Sequence, residues 1–240
     1  LRAGDCHFKR NQYTEALSYY NEAVSRKYDG FEYALYQKAM IRGLQGNQND
    51  KATLLEDLVN KYPSSQYSDE ALFQLGDAYQ TLNRNQQATA ALRRIVQDYR
   101  GKSNLVVPAL LRLGLITYND GQNRQSIEYY KQVFANNPER EEAQEALNSL
   151  EAIYKEEGRP DEYIAFRQTI PGYGVGAAAQ DTLTYQAAEY QFQRGQYQPA
   201  IDGFTQYLTK YPNGREALAA YFNRGESYAA LSRFNEAMKD

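Results

Sequence analysis

The chain has 240 residues, 42% hydrophobic and 24% charged, the balance of a folded soluble protein. Its 27 Lys plus Arg against 30 Asp plus Glu leave a net charge of −3. That argues against nucleic acid as the main partner, because phosphate binding needs clustered positive charge. No apolar run reaches the ~18 residues that crossing a membrane requires, so no direct span is expected.

One cysteine, Cys6, and one histidine, His7, exclude an internal disulfide and supply too few ligands for a Cys/His zinc site. Neighbours on a helix point about 100° apart, so the two are poorly aimed as a nucleophile and base. No catalytic residue, metal site or cofactor is therefore assigned. Adjacent carboxylates such as Glu141-Glu142 and Glu156-Glu157 read as solvated helix faces. The chain has 23 tyrosines and no tryptophan. Large amphipathic rings in such number fit helix packing and half-exposed surfaces.

Taken in chain order, one pattern returns. Residues 4–24 read GDCHFKRNQYTEALSYYNEAV, and residues 72–96 read LFQLGDAYQTLNRNQQATAALRRIV. LLRLGLITYNDGQNRQSIEYYKQVF at 110–134 aligns with the latter without a gap. The pattern recurs at 187–208 and 224–240. A small residue marks the second half of each unit at Ala16, Ala52, Ala88, Ser126, Ala200 and Ala237, spaced 36, 36, 38, 74 and 37 residues apart. Each unit holds two stretches with apolar residues at i, i+3, i+4 and i+7, which predicts a helix pair. Asn83-Arg84-Asn85 and Gly121-Gln122-Asn123 supply turn chemistry inside units, while Pro63, Pro138 and Pro212 close three of them. Extra residues sit between units, as in YPSSQYSDEA at 62–71.

The spacing and residue types resemble the tetratricopeptide repeat family, whose pattern has a small residue at position 8, Ala at 20 and an aromatic at 24. Position 8 is Gly4, Ala39, Gly76, Gly114, Ala188 and Gly225. Position 20 is Ala16, Ala88, Ser126, Ala200 and Ala237, with Ala52 displaced by one residue, and position 24 is Tyr20, Leu55, Leu92, Tyr130 and Phe204. The resemblance implies an all-α fold, an α-α superhelix of about six to seven helix-turn-helix units in which neighbours bury each other's apolar faces.

One unit departs from the pattern. Residues 144–170 put Glu151 at position 8 and Tyr163 at position 20, so an irregular or splayed helix pair is expected. PGYGVGAAAQ follows at 171–180. Gly172, Gly174 and Ala177 fit G-x-G-x-x-A, but a dinucleotide loop needs a preceding strand, and DEYIAFRQTI at 161–170 is helical in character. The stretch reads as a linker or joint between an N-terminal array over 1–170 and C-terminal units over 181–240. Leu1 falls near position 5 and Asp240 near position 23 of their units, so both terminal units are expected to be incomplete and the chain a piece of a longer repeat protein. Uncapped terminal repeats also offer a route to homo-oligomers.

By the same resemblance, positions 5, 9 and 12 of each first helix line a concave groove. The candidate partner-binding residues are Tyr36, Met40, Phe73, Asp77, Leu111, Leu115, Tyr118, Tyr185, Glu189, Phe192, Phe222 and Glu226. The set is aromatic and acidic, which suits a protein or peptide with apolar side chains and some positive charge. The expected function is a non-enzymatic interaction scaffold. The long Tyr-Pro turns are similar in style to periplasmic and outer-membrane-associated bacterial members, which places the chain in a cell-envelope complex, with the cytoplasm as the alternative. An RNA-binding helical repeat and an accessory repeat domain of an enzyme are the competing functions.

Overall fold

In a computed structural model that describes residues 1–240, every regular element is helical and the chain divides into two compact units, 1–142 and 143–240. The first unit contains α1 (Arg2–Lys9), α2 (Tyr13–Ser25), α3 (Phe31–Leu44), α4 (Gln48–Lys61), α5 (Ser68–Thr81), α6 (Asn85–Asp98), α7 (Val106–Asn119) and α8 (Asn123–Val133). A 3₁₀ turn, Phe134–Asn136, follows. The boundary falls within α9 (Arg140–Glu156). The second unit continues with α10 (Pro160–Gln168), α11 (Ala177–Gln193), α12 (Tyr197–Lys210), α13 (Ala217–Ala230) and α14 (Phe234–Ala237).

The turn inside each helix pair is the same device seven times. Asn11, Gly46, Asn83, Gly121, Gly158, Gly195 and Ser232 all take a positive φ, between 56° and 82°. The following N–H reaches six residues' span back to a helix carbonyl: Gln12 to His7, Arg84 to Tyr79, Gln122 to Thr117 and Gln196 to Gln191, each 2.8–2.9 Å. The left-handed residue itself bonds three residues back, as Asn83 N–H does to Gln80 at 2.9 Å. This is the Schellman arrangement, which satisfies carbonyls that a helix end leaves orphaned. Glycine or asparagine tolerates that φ at least cost.

Close packing within a pair rests on position 8 facing position 24. A Cβ on Gly4 would lie 2.8 Å from the Tyr20 ring, and one on Gly114 would lie 2.6 Å from the Tyr130 ring. The missing side chain is the room the ring occupies. Tyr20, Ala16 and Ile41 are fully buried in a core shared by α1, α2 and α3. In the second unit Phe204 and Tyr207, both 0% exposed, form the matching core with Tyr185 and Ala188. Burying a side chain such as Phe204 contributes about 2–3 kcal/mol.

At position 20 of the second pair the structure has Ala52 displaced by one residue, as the spacing reads. The α4 N-cap is Asn47, and Lys51 bonds back to its carbonyl as Ala16 does to Gln12 and Ala88 to Arg84. Lys51, not Ala52, therefore holds the register. Both are buried, and Lys51 fits because Gly43 has no side chain: a Cβ there would meet the Lys51 Cδ at 2.9 Å.

In the α9–α10 pair Tyr163 is 2% exposed, with its ring centroid 6.2 Å from that of Tyr154. Its single hydroxyl proton is shared between the Leu147 carbonyl at 3.2 Å and the Glu151 carboxylate at 3.1 Å. An aromatic ring fills space that an alanine or serine closes in five of the other pairs. Residues 171–176 form a non-helical loop in the second unit. Arg167 donates to the Tyr173 carbonyl, Gln168 and Gln180 both donate to the Val175 carbonyl at 2.8 and 2.9 Å, and Val175 is buried. The loop is tied by three side chains and lies between two helices, with no strand before it.

Candidate functional site: the first-helix faces

The twelve candidate residues all stand on first helices, but with different degrees of freedom. On α3, Tyr36 is half-buried and stacks on Tyr67, with ring centroids 6.0 Å apart and planes 20° apart. Burial, then the nearby Glu70 and Asp69, push its hydroxyl up to about 12. Met40 is half-buried one turn on. On α5, Phe73 and Asp77 are half-buried. On α7, Leu111 is 7% exposed and Leu115 46% exposed, with Tyr118 between these extremes.

In the second unit Tyr185 is core, 7% exposed and packed against Phe204 and Tyr207. Its hydroxyl donates to Glu189 at 3.1 Å and accepts from Asn223 at 3.1 Å. Burial and then the Glu189 charge raise its pKa. Phe192 is half-buried against Phe204 and Tyr197. Phe222 is 67% exposed, and Glu226 is also exposed on the same helix.

What joins successive first helices is position 6, which sequence reasoning missed. Arg112 on α7 bonds Asp77 as an ion pair and Gln80 at 2.9 Å, and its guanidinium lies 5.4 Å from the Phe73 ring centroid. Asn223 on α13 reaches Tyr185 in the same way. Gln74 on α5 reaches instead the second helix before it, α4, and accepts from the Lys51 ammonium at 2.7 Å. The available signal was a polar residue at one register: Gln37, Gln74, Arg112 and Asn223. Asp5, at position 9, anchors the first seam by accepting from Tyr20 at 2.6 Å and Tyr33 at 3.0 Å. Burial and then the bond to Asp5 push Tyr33 up to about 12.

No group of three or more His, Cys, Asp or Glu side chains is arranged to hold a metal ion. His7 hydrogen-bonds Gln12 at 2.8 Å and stacks on Tyr19, while Cys6 is exposed. No helix is long and apolar enough to cross a membrane. The first-helix faces thus combine half-exposed rings and aliphatic side chains with short polar seams.

Successive helix pairs that share one turn and a recurring small-residue register define a helical-repeat protein. The sequence profile of the tetratricopeptide repeat matches residues 1–28, 33–65, 70–101, 108–140 and 181–214, more than half of the chain. The chain belongs to the tetratricopeptide repeat family, whose repeats serve as protein-interaction scaffolds. The matches leave out 141–180, the stretch where Tyr163 takes the small residue's place. No curated protein matches the chain in sequence.

Solved structures share the fold. MamA is 20% identical with a TM-score of 0.53, covering 80% of this chain and 96% of its own. The C-terminal part of a tetratricopeptide repeat-containing protein from Cytophaga hutchinsonii is 15% identical, with a TM-score of 0.55 and coverage of 98% and 88%. YrrB, described as having an unusual peptide-binding site, is 14% identical, with a TM-score of 0.50 and coverage of 84% and 96%.

Proposed function

We propose that the chain binds a partner protein or peptide on the concave, first-helix side of its repeats and acts as a non-enzymatic adaptor in a bacterial cell-envelope complex. The observation that carries the reading is the set of apolar side chains left open at two first-helix registers. At position 9 Met40 is half-exposed and Leu115 exposed, and at position 5 Phe73 is half-exposed and, in the second unit, Phe222 is exposed. Large apolar side chains at repeating positions are the usual anchors of a docked chain. The peptide-binding description of YrrB supports the same use of this fold. The Tyr-Pro turns, such as YPSSQYSDEA at 62–71, support the envelope setting.

The test is capture of a partner by purified wild type and by Phe73→Ala, Leu115→Ala and Phe222→Ala, with the exposed α8 residue Glu128→Ala as control. Loss of a discrete partner in the first three, with retention by the control, is expected. Tyr185→Ala is not a clean probe, since it opens a core. A partner retained by all three first-helix variants would sink the proposal.

A further inference from the structure

A cleft of about 320 Å³ opens within the second unit, in the size range of small-ligand sites. Its floor is α11, one wall is the turn from α9 to α10, and the other wall is the first half of α12. The equivalent groove of the first unit, over α5 and against α6, is only about 170 Å³. There the chain fills its own groove. The Tyr79 ring lies in it with its hydroxyl on the Glu56 carboxylate, and Arg94 bonds the Val59 carbonyl and Asn60 across it. In the second unit the same two positions, 11 and 26, hold Gln191 and Gln206, so both the ring and the cation are replaced by neutral amides.

What lines the larger cleft is a set of acceptors. Gln191 is 4% exposed, and its Nε2 donates to the Lys155 and Glu156 carbonyls at the end of α9, at 3.3 and 2.8 Å. Those bonds fix the amide and turn its Oε1, to which no protein group donates, into the cleft. A buried acceptor left without a donor costs stability, so this oxygen favours a donor from outside the chain. Asp202 lines one wall and Glu157 the other. Asp202 accepts from the neutral Gln198 amide at 2.9 Å. Glu157 shares the Arg159 guanidinium with Glu162, so that group of three keeps one negative charge. No lysine or arginine lines the cleft. The carboxylates are not arranged to hold a metal ion, and Pro160, Ala187 and Pro199 add apolar stretches to the lining. We propose that the cleft binds a primary ammonium group on an alkyl chain. Its N–H donors meet the Gln191 Oε1 and the carboxylates of Asp202 and Glu157, and its methylenes lie along the prolines and Ala187. Bonds from a cation to carboxylates are the stronger kind of hydrogen bond, and an ammonium brings three donors to such a set. A free diamine and a lysine side chain of a partner both carry this group. The inference does not depend on first-helix docking.

The experiment is titration of isotope-labelled protein, read by NMR at the Gln191 side-chain amide and the Thr184 backbone amide. The probes are putrescine, lysine blocked at both ends, and n-butanol as the neutral control. Saturable shifts with an amine and none with the alcohol are expected. Tighter binding of putrescine would mark a free amine as the ligand, and tighter binding of blocked lysine a partner's side chain. Asp202 is exposed, so Asp202→Asn should keep the thermal midpoint and weaken amine binding about five-fold. Gln191→Met removes the buried acceptor and should weaken binding about ten-fold. Should the loss of its two carbonyl bonds unfold the protein, Asp202→Asn decides. Three results would overturn the inference: no saturable shift with either amine up to about 10 mM, equal shifts from n-butanol, or wild-type amine affinity in Asp202→Asn.

Discussion

Each position-8 glycine in the first unit faces a large side chain sixteen residues later: Gly4 faces Tyr20, Gly76 faces Leu92 and Gly114 faces Tyr130. Gly114→Ala adds one methyl group at 2.6 Å from the buried Tyr130 ring. Overpacking of this kind costs about 1–3 kcal/mol, and a urea unfolding midpoint lowered to match is the expected result. The tyrosines make a second residue-scale prediction. Burial pushes Tyr33, Tyr36, Tyr79 and Tyr207 up to about 12, from an ordinary value of 10.0. The folded state thus holds these protons more tightly than the unfolded chain. Their contribution is complete below pH 10 and is lost as pH rises from 10 through about 12. Urea midpoints measured from pH 8 upward should stay level and then fall across that window. Lys51 shows where reading the sequence stops at this scale. Alanine beside lysine makes Ala52 look like the small residue, because lysine is almost never fully buried. The spacing marks Ala52 as displaced by one residue, but only the empty space over Gly43 shows how Lys51 can be buried in its place.

At the scale of elements, helix pairs were legible because apolar spacing of 3 and 4 residues and the small-residue recurrence come from local geometry. The shared turn was legible at Asn83 and Gly121 but not at Ser232, whose type does not announce a left-handed backbone. Gly121→Ala keeps every contact, since nothing lies within 4 Å of the added Cβ, but forces alanine to φ +72°. A loss of about 1 kcal/mol is expected in chemical denaturation. The α9–α10 pair offers the opposite test. Tyr163→Ala restores the residue type found at Ala88 and Ala200, yet it empties space around Leu147, Glu151 and Tyr154. It should destabilise by about 3 kcal/mol, seen as a lower unfolding midpoint, because a cavity costs more than pattern agreement gains. The large residue at position 20 was visible in the sequence. That its hydroxyl would find the Leu147 carbonyl was not, since that bond depends on how two helices meet.

Across the whole molecule, the repeat followed from one small residue recurring at 36 to 38 positions, with one doubled gap of 74 over the unit of Tyr163. The candidate site was legible only as a set of positions. Spacing placed Phe73, Asp77 and Leu115 on first helices but could not separate open residues from covered ones. Tyr185 lies in the second core because Phe204, Tyr207 and Asn223 close over it, and those contacts join residues far apart in sequence. Arg112 was passed over for the same reason: its partners Asp77 and Gln80 stand more than thirty residues earlier. The most direct measurement of first-helix docking is photocrosslinking in cells, from a crosslinker placed singly at Met40, Leu115 or Glu128. Crosslinks to one discrete protein from Met40 and Leu115, and none from Glu128 on α8, are predicted. Crosslinks arising only from Glu128 would contradict docking on the first-helix faces.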